Sequence, residues 1–430
     1  MNEHNYIKRF TRGLRILKEM TYFDYKGDVV HKQNELLTDM LSYAVKHCRY
    51  YKNVVGQDIQ EPKLSDFPLL TKQVIRDNFE DMISDEKNRF IYWDAYTGGS
   101  TGEPLYFISQ SCIDLPFMTG LWKFMGYKRG DIVVAMACSK VSEEDRRNNI
   151  YWAKENKGDI PYGRIELSSL YYNDSNAKYY IDFLNGIKPD FIRGYPSFIY
   201  EVAKYILDNG ISLSFAPRAI QMTSESSFEY QYDVIKRAFG TDRIHLAYGH
   251  TEQCVFGYTY DSTYEYVIEP LYGYTEILDD QGNEVGEGEV GEIVVTSFYN
   301  KVMPFIRYRT GDKAVRGKTV DGKLHLKRIM GRTQDYIVNR NGDKVLLTAL
   351  IFGQHFEALG KIVKWQIEQF DQGVVTMHII RGNDYSDSDE LQIGTIFDKV
   401  GNVDVIFDYV TEIDRTGRGK SPMLVQHIVR

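Results

Sequence analysis

The chain is poor in cysteine, and it has no apolar run long enough to cross a bilayer. Cys48, Cys112, Cys138 and Cys254 are its only cysteines, and none sits in a C-x-x-C pair. Neither a disulfide framework nor a thiolate-rich metal site is expected, and a reducing, cytoplasmic compartment fits. The opening residues, Met1 to Phe10, lack the apolar core of a secretory signal, so no membrane insertion is expected. Basic charge is also scarce. A net charge of −8 excludes a general nucleic-acid binder, which needs clustered Lys and Arg to displace counterions. It leaves room for a local pocket for one nucleotide. Internal repeats and low-complexity linkers are missing as well.

What is present is ordinary for a globular protein: 43% hydrophobic and 26% charged residues. At 430 residues the chain exceeds the usual single-core limit, so two domains are expected. The 33 Tyr and 22 Phe suggest broad, partly polar pockets. Leu36, Leu37, Met40, Leu41, Ala44 and Val45 recur at helical spacing. From about residue 130 the pattern alternates. Ile132 to Cys138, Asp190 to Gly194, Ala219 to Thr223 and Ile244 to Tyr248 read as strands. Between them lie a helix with Ser197 at its N-cap and Gly210 at its end, and a second helix ending at Gly240. Such β-α-β units imply a largely parallel sheet with ligands at the carboxyl ends of its strands. Tyr264 to Val315 reads as β-rich hairpins with a turn at Asp279 to Asn283. After Gly331 a compact α+β unit is expected: a helix over Leu346 to Leu359, strands over Val363 to Phe370 and Val374 to Ile380, a helix near Leu391 to Val400, and a strand over Val403 to Val410.

Five short segments carry the chemistry. Thr97-Gly98-Gly99-Ser100-Thr101-Gly102 is a phosphate cradle by composition, because glycines let backbone N–H groups approach an anion and hydroxyls add donors. A Walker-type P-loop would need a Lys after the last glycine, where Glu103 stands. Tyr248-Gly249-His250-Thr251-Glu252 follows an expected strand and offers an aromatic ring for a base and a hard carboxylate for a hard cation. Arg307-Tyr308-Arg309-Thr310-Gly311-Asp312 is the most specific string; its arginines read as structural pairs on a β-rich face. Gly331-Arg332-Thr333-Gln334-Asp335 stands at the expected junction between domains. Arg415-Thr416-Gly417-Arg418-Gly419-Lys420 puts a lysine on a glycine-rich loop able to enter a site. His250 and Cys254, four apart, invite a zinc reading, but two ligands do not make a closed tetrahedral site, and a pocket-lining histidine is the preferred reading.

In this order the five segments resemble those of the adenylate-forming enzymes, the superfamily of acyl-CoA synthetases, luciferase and peptide-synthetase adenylation domains. Within it they are similar to phenylacetate–CoA ligase-like proteins, including relatives associated with capsular polysaccharide. The run through Tyr50-Tyr51, the chain length and Gly194-Tyr195-Pro196-Ser197 look most like that capsule-associated branch. The resemblance implies an α/β fold: a large N-terminal domain (1–331) with parallel sheets and a β-rich subdomain, and a small, mobile C-terminal α+β lid (332–430). It implies Mg·ATP as cosubstrate, with 97–102 on the phosphates, Tyr248 and Gly249 at the adenine and Thr251 near the α-phosphate. Glu252 would hold Mg2+, Asp312 would accept the ribose hydroxyls, and Arg332 would serve the nucleotide side. Lys420 would bridge the attacking carboxylate and the α-phosphate, while Tyr195, Ser224, Glu225 and His250 would line the substrate pocket, capped by residues between Lys140 and Tyr172. Two departures stand out. Glu103 replaces a common Lys, and Gln334 occupies the hinge position where Asp or Lys is common.

The implied reaction is activation of a small carboxylic acid to acyl-AMP with release of pyrophosphate, then transfer to an acceptor. CoA is the default acceptor for the nearest relatives. An amine or hydroxyl on a sugar nucleotide is the capsule-branch alternative, and a protein cysteine is a third. A non-catalytic nucleotide-binding regulator or scaffold on the same fold is the reading of a different class, against which Lys420, Asp312 and Glu252 all stand.

Overall fold

The computed structural model describes residues 25–56, 59–97, 104–111, 113–154, 165–260, 262–332, 335–351, 357–416 and 419–428. The tip of the glycine-rich segment (98–103), Gln334 and the pair 417–418 therefore lie outside the described residues. The chain forms two compact units, one from Met1–Tyr127 with Ala247–Ile329, the other from Lys128–Leu246 with Met330–Arg430.

In the first unit, the helix Val29–His47 starts where the Asp28 carboxylate accepts from the His31 N–H at 3.0 Å, which satisfies one of the orphan donors of a first turn. It buries Leu36, Met40, Leu41, Ala44 and Val45, the stripe that its spacing predicts. The hairpins between Tyr264 and Val315 are also present. The strands run in the order Gly273–Leu278, Val290–Ser297, Tyr308–Val320, the strand starting at Lys323, Tyr266–Ile268 and Phe256–Thr259. The turn after Leu278 closes through Asp279 N–H to Asn283 O at 2.8 Å, with Gly282 at φ +87°. A separate hairpin pairs Tyr92–Tyr96 with Tyr106–Gln110. Thr97 extends that pairing: its N–H donates to Leu105 O and its hydroxyl accepts from Leu105 N–H, both at 2.9 Å. The base of the glycine-rich loop is thereby fixed.

The second unit holds the β-α-β repeats. Ile165–Ser168, Val133–Ala137, Phe191–Gly194 and Ala219–Thr223 lie side by side and parallel, and Trp152–Lys154 adds an antiparallel edge. The helices between them end as expected, at Asp208 with Gly210 at φ +60° and at Phe239 with Gly240 at φ +66°. Ser197 is not the N-cap. The helix runs Pro196–Asp208 with Tyr195 as cap and Pro196 in the first turn, where its missing N–H costs nothing. The Ser197 N–H instead donates to Glu225 Oε2 at 3.2 Å.

Residues from Tyr336 onward build the expected α+β module. Ile362–Gln369 and Val374–Arg381 form an antiparallel hairpin, flanked in parallel by Leu424–Gln426 and Asp404–Tyr409. Ile367, Val375, Met377 and Ile379 meet Ile393 and Phe397 of the helical segment in one core. The helix expected over Leu346 to Leu359 is seen as two pieces, Leu347–Ile351 and Glu357–Gly360, with 352–356 outside the described residues. Within the same unit the Tyr200 hydroxyl donates to Ile362 O at 2.7 Å and Trp365 Nε1 donates to the Tyr230 hydroxyl at 3.1 Å.

Gly194 shows how tightly the parallel strands meet. It is buried opposite Met136, and a Cβ there would collide with the Met136 carbonyl oxygen and lie 2.8 Å from its carbonyl carbon. Neither atom can move without breaking the ladder. Gly194→Ala is expected to lose about 1–3 kcal/mol or more of unfolding free energy, read from a urea melt; an unchanged midpoint would contradict the packing.

Candidate active site

In the first unit two segments meet. The Tyr248 hydroxyl donates to Asp312 Oδ2 at 2.8 Å, joining residues 64 apart in sequence. Asp312 is held in turn by its own N–H, which donates to Thr310 Oγ1 at 3.0 Å. Both side chains are half-buried, and Gly249 is exposed beside them. A carboxylate has four acceptor positions, and the Tyr248 hydroxyl takes one of them.

Glu252 is buried. The Tyr308 hydroxyl donates to its Oε1 at 2.7 Å, and His250 Nδ1 lies 3.2 Å from its Oε2. Burial alone would raise its pKa. The adjacent His250 ring and the hydrogen bond from Tyr308 outweigh burial and pull the carboxyl down to about 2. Tyr308 responds oppositely: burial and the adjacent Glu252 charge push its hydroxyl well up, so it stays a donor. The result is a buried carboxylate that keeps its charge, the donor type a hard cation takes. Neither ring nitrogen of His250 makes a hydrogen bond among the described residues. Thr251 lies half-buried between these two.

Cys254 does not face His250 as a metal ligand would. Its thiol donates to the Glu252 carbonyl at 3.2 Å, and burial pushes its pKa well up. No group of three potential metal ligands occurs among the described residues. The arginines of the 307–312 string are structural, as their sequence context suggests. Arg307 grips Glu276 with two nitrogens at 3.2 and 3.0 Å, and Arg309 pairs with Glu292.

In the second unit four of the expected residues come together at the carboxyl ends of parallel strands. Lys420 Nζ donates to the Ser224 carbonyl at 2.7 Å and lies 5.7 Å from the Tyr195 ring centre. Ser224 adopts φ +72°, an uncommon conformation for a residue with a side chain. Glu225 follows and accepts from the Ser197 and Ser421 N–H groups at 3.2 and 3.3 Å. Burial raises its carboxyl pKa despite those bonds and the nearby Lys420 charge. The Tyr195 hydroxyl donates to Cys138 Sγ at 3.4 Å. Arg332 ends the strand Lys323–Arg332, half-buried.

The sequence reading missed several partners. Ser169 Oγ donates to Gly419 O at 2.9 Å, and Arg415 pairs with Glu201, both side chains largely buried. Lys364 Nζ donates to Ile413 O at 2.7 Å, and burial lowers its pKa to about 8. Glu201 left a signal: it is a lone acid in the apolar run Phe198-Ile199-Tyr200-Glu201-Val202-Ala203, and a buried acid needs a cation. Tyr308 left none beyond its place between two arginines.

No protein-family model matches the chain. Protein CapK of Staphylococcus aureus is 26% identical over 447 residues, covering 99% of this chain and 94% of CapK. Indoleacetate–lysine synthetase of Pseudomonas savastanoi is 28% identical over 193 residues, covering 44% of this chain and 45% of that enzyme. Among solved structures, 2-hydroxyisobutyryl-CoA ligase with R3-HIB-AMP aligns with a TM-score of 0.66 at 15% identity, over 93% of this chain and 88% of the ligase. The acyl acid amido synthetase AtGH3.15 with 2,4-DB aligns at 0.59 and 14% identity, over 96% and 93%. The strand layout agrees with these likenesses: the chain has the fold of the adenylate-forming ligases.

Proposed function

We propose that the protein activates a small carboxylic acid with ATP, giving acyl-AMP and pyrophosphate, and then transfers the acyl group to an acceptor. The observation that carries this reading is the Lys420 ammonium at the carboxyl ends of parallel strands, on the Ser224 carbonyl and beside the Tyr195 ring. In the first step a carboxylate oxygen attacks the α-phosphorus, the bond to the bridging oxygen breaks, and pyrophosphate leaves with its electron pair. No nucleophile of the protein takes part, so catalysis rests on positioning and charge neutralisation. Lys420 would stabilise the charge shared by the attacking carboxylate and the α-phosphate. Tyr248 would lie against the adenine ring, and Asp312 would accept both ribose hydroxyls. Thr97 to Gly102, with Thr251, would bind the phosphates, and Arg332 would serve the nucleotide side. Tyr195, Ser224, Glu225 and His250 would line the acid's pocket. The ionised Glu252 fits Mg2+, which when bound would neutralise phosphate charge.

Mobility belongs to the same proposal: 332–430 would move against 1–331 about Gln334, exposing acyl-AMP to the acceptor. Two acceptor classes have support. CoA is favoured by the CoA ligase among the structural neighbours. An amine is favoured by the amido synthetase and by the lysine-directed relative. A sugar-linked amine or hydroxyl in capsule synthesis rests on the CapK likeness.

The first test is pyrophosphate release with Mg·ATP across a panel of carboxylic acids, with and without CoA. Acid-dependent release establishes adenylation and names the acid class. A CoA-dependent rise with thioester formation selects the CoA ligase, whereas indifference to CoA selects an amine or hydroxyl. Lys420→Ala is expected to cut release by about a hundredfold to a thousandfold while ATP binding persists; undiminished release would remove Lys420 from the chemistry. Asp312→Ala should weaken ATP and AMP together in calorimetric titrations, and equal affinities would refute the ribose assignment.

A further inference from the structure

In the loop that carries Lys420, Thr416, Gly419 and Lys420 are tied to one another. Thr416 N–H donates to Lys420 O at 2.8 Å, Gly419 N–H to Thr416 O at 2.7 Å, and Lys420 N–H to Thr416 Oγ1 at 3.1 Å. Gly419 sits at φ +70°, and a Cβ there would collide with Ser169 Oγ and lie 2.7 Å from Cys138 Cβ. Whatever holds Arg415 and Gly419 in place therefore bears on where the Lys420 ammonium goes.

Its outer contacts differ in strength. Ser169 Oγ to Gly419 O and Ser421 N–H to Glu225 are single hydrogen bonds at 2.9 and 3.3 Å. The Arg415 guanidinium, one residue before the turn, pairs with the Glu201 carboxylate. Their side chains are 10% and 8% exposed, and Arg415 also lies 5.8 Å from the Phe198 ring centre. Glu201 and Phe198 both belong to the helix Pro196–Asp208, which begins beside Tyr195. The cation–carboxylate contact is the strongest of these contacts, since charge and burial reinforce it. Glu201 Oε1 has no hydrogen-bond partner among the described residues; the Arg415 guanidinium pairs with the carboxylate, and the Lys364 charge also acts on it.

We infer that Glu201 and Arg415 are positioning residues: their buried ion pair fixes the Thr416–Lys420 turn to the helix Pro196–Asp208 and so sets Lys420 in register with the reacting phosphate. The inference rests on the adenylation reading for its chemistry but not for its geometry. Neither residue needs to touch substrate, and both act through Lys420. The pair therefore matters for acyl-AMP formation, which needs that lysine, and not for the acceptor step, which does not.

The test uses the full-length chain and two readouts. Hydrogen exchange is followed by mass spectrometry in wild type, Glu201→Gln and the double variant Glu201→Gln/Arg415→Met. The double variant removes both charges of the pair, so neither partner is left buried without the other, and Lys364 feels the loss of Glu201 in both variants alike. Faster exchange confined to peptides covering 413–421 supports the inference; unchanged exchange there, or an increase spread over the whole chain, overturns it. Pyrophosphate release and the consumption of synthetic acyl-AMP by the acceptor are then measured separately, using the acid and acceptor found by the panel. Pyrophosphate release is expected to fall on the order of a hundredfold in kcat, the cost of a misplacement of about 1 Å, with KM for ATP and the acceptor step unchanged. A purely structural pair predicts the reverse: the double variant recovers thermal stability and pyrophosphate release together. If wild type releases no pyrophosphate with any acid, the adenylation reading falls, and the exchange data still decide whether Glu201 holds the loop.

Discussion

A lysine ammonium on four rotatable bonds has no intrinsic reason to stay in a reaction site, and water competes for it at every position. Restraining that charge is the constraint on which the second unit is built. The restraint begins in the backbone, with a turn closed by Thr416 and a glycine at 419 that alone fits against Ser169 and Cys138. It continues in the Ser224 carbonyl, turned toward the lysine by a left-handed residue at the end of a strand. Strain of that kind persists only where the surroundings over-determine it. Here they do: Glu225, the next residue, is tied to Ser197 on one side and Ser421 on the other.

The first unit solves a related problem with opposite charge. Glu252 is a buried acid that stays ionised because the Tyr308 hydroxyl donates to one oxygen and the His250 ring lies beside the other. Asp312 is held by the Tyr248 hydroxyl. Around them Arg307–Glu276 and Arg309–Glu292 hold the strand that carries Asp312. Ion pairs of this sort add little net stability once desolvation is counted, but they define the register of the strand. In both units, groups suited to chemistry rest on groups whose work is geometric.

Much of this was legible beforehand, for definite reasons. Strands such as Ala219–Thr223 and helices ending at Gly210 and Gly240 follow from local rules of periodicity, branching and glycine's access to positive φ, all of which act within a few residues. The Lys420, Asp312 and Glu252 segments stood out because their residue types and order resemble those of the adenylate-forming enzymes. Ser197 was misread because a serine before an apolar run looks like a cap. Pro196 had already started the helix, and Glu225, 28 residues away, took the serine's N–H.

The sequence by itself determined which segments become strands, helices and glycine turns, and which residue types stand ready for a nucleotide and a carboxylate. Tertiary structure alone decided the pairings: Tyr248 with Asp312, Tyr308 with Glu252, Glu201 with Arg415 across 214 positions. The reason is physical. A propensity is a property of neighbours along the chain, whereas the ionisation of a buried acid and the aim of a lysine depend on whatever folding brings within a few ångströms, and separation in sequence does not encode that distance.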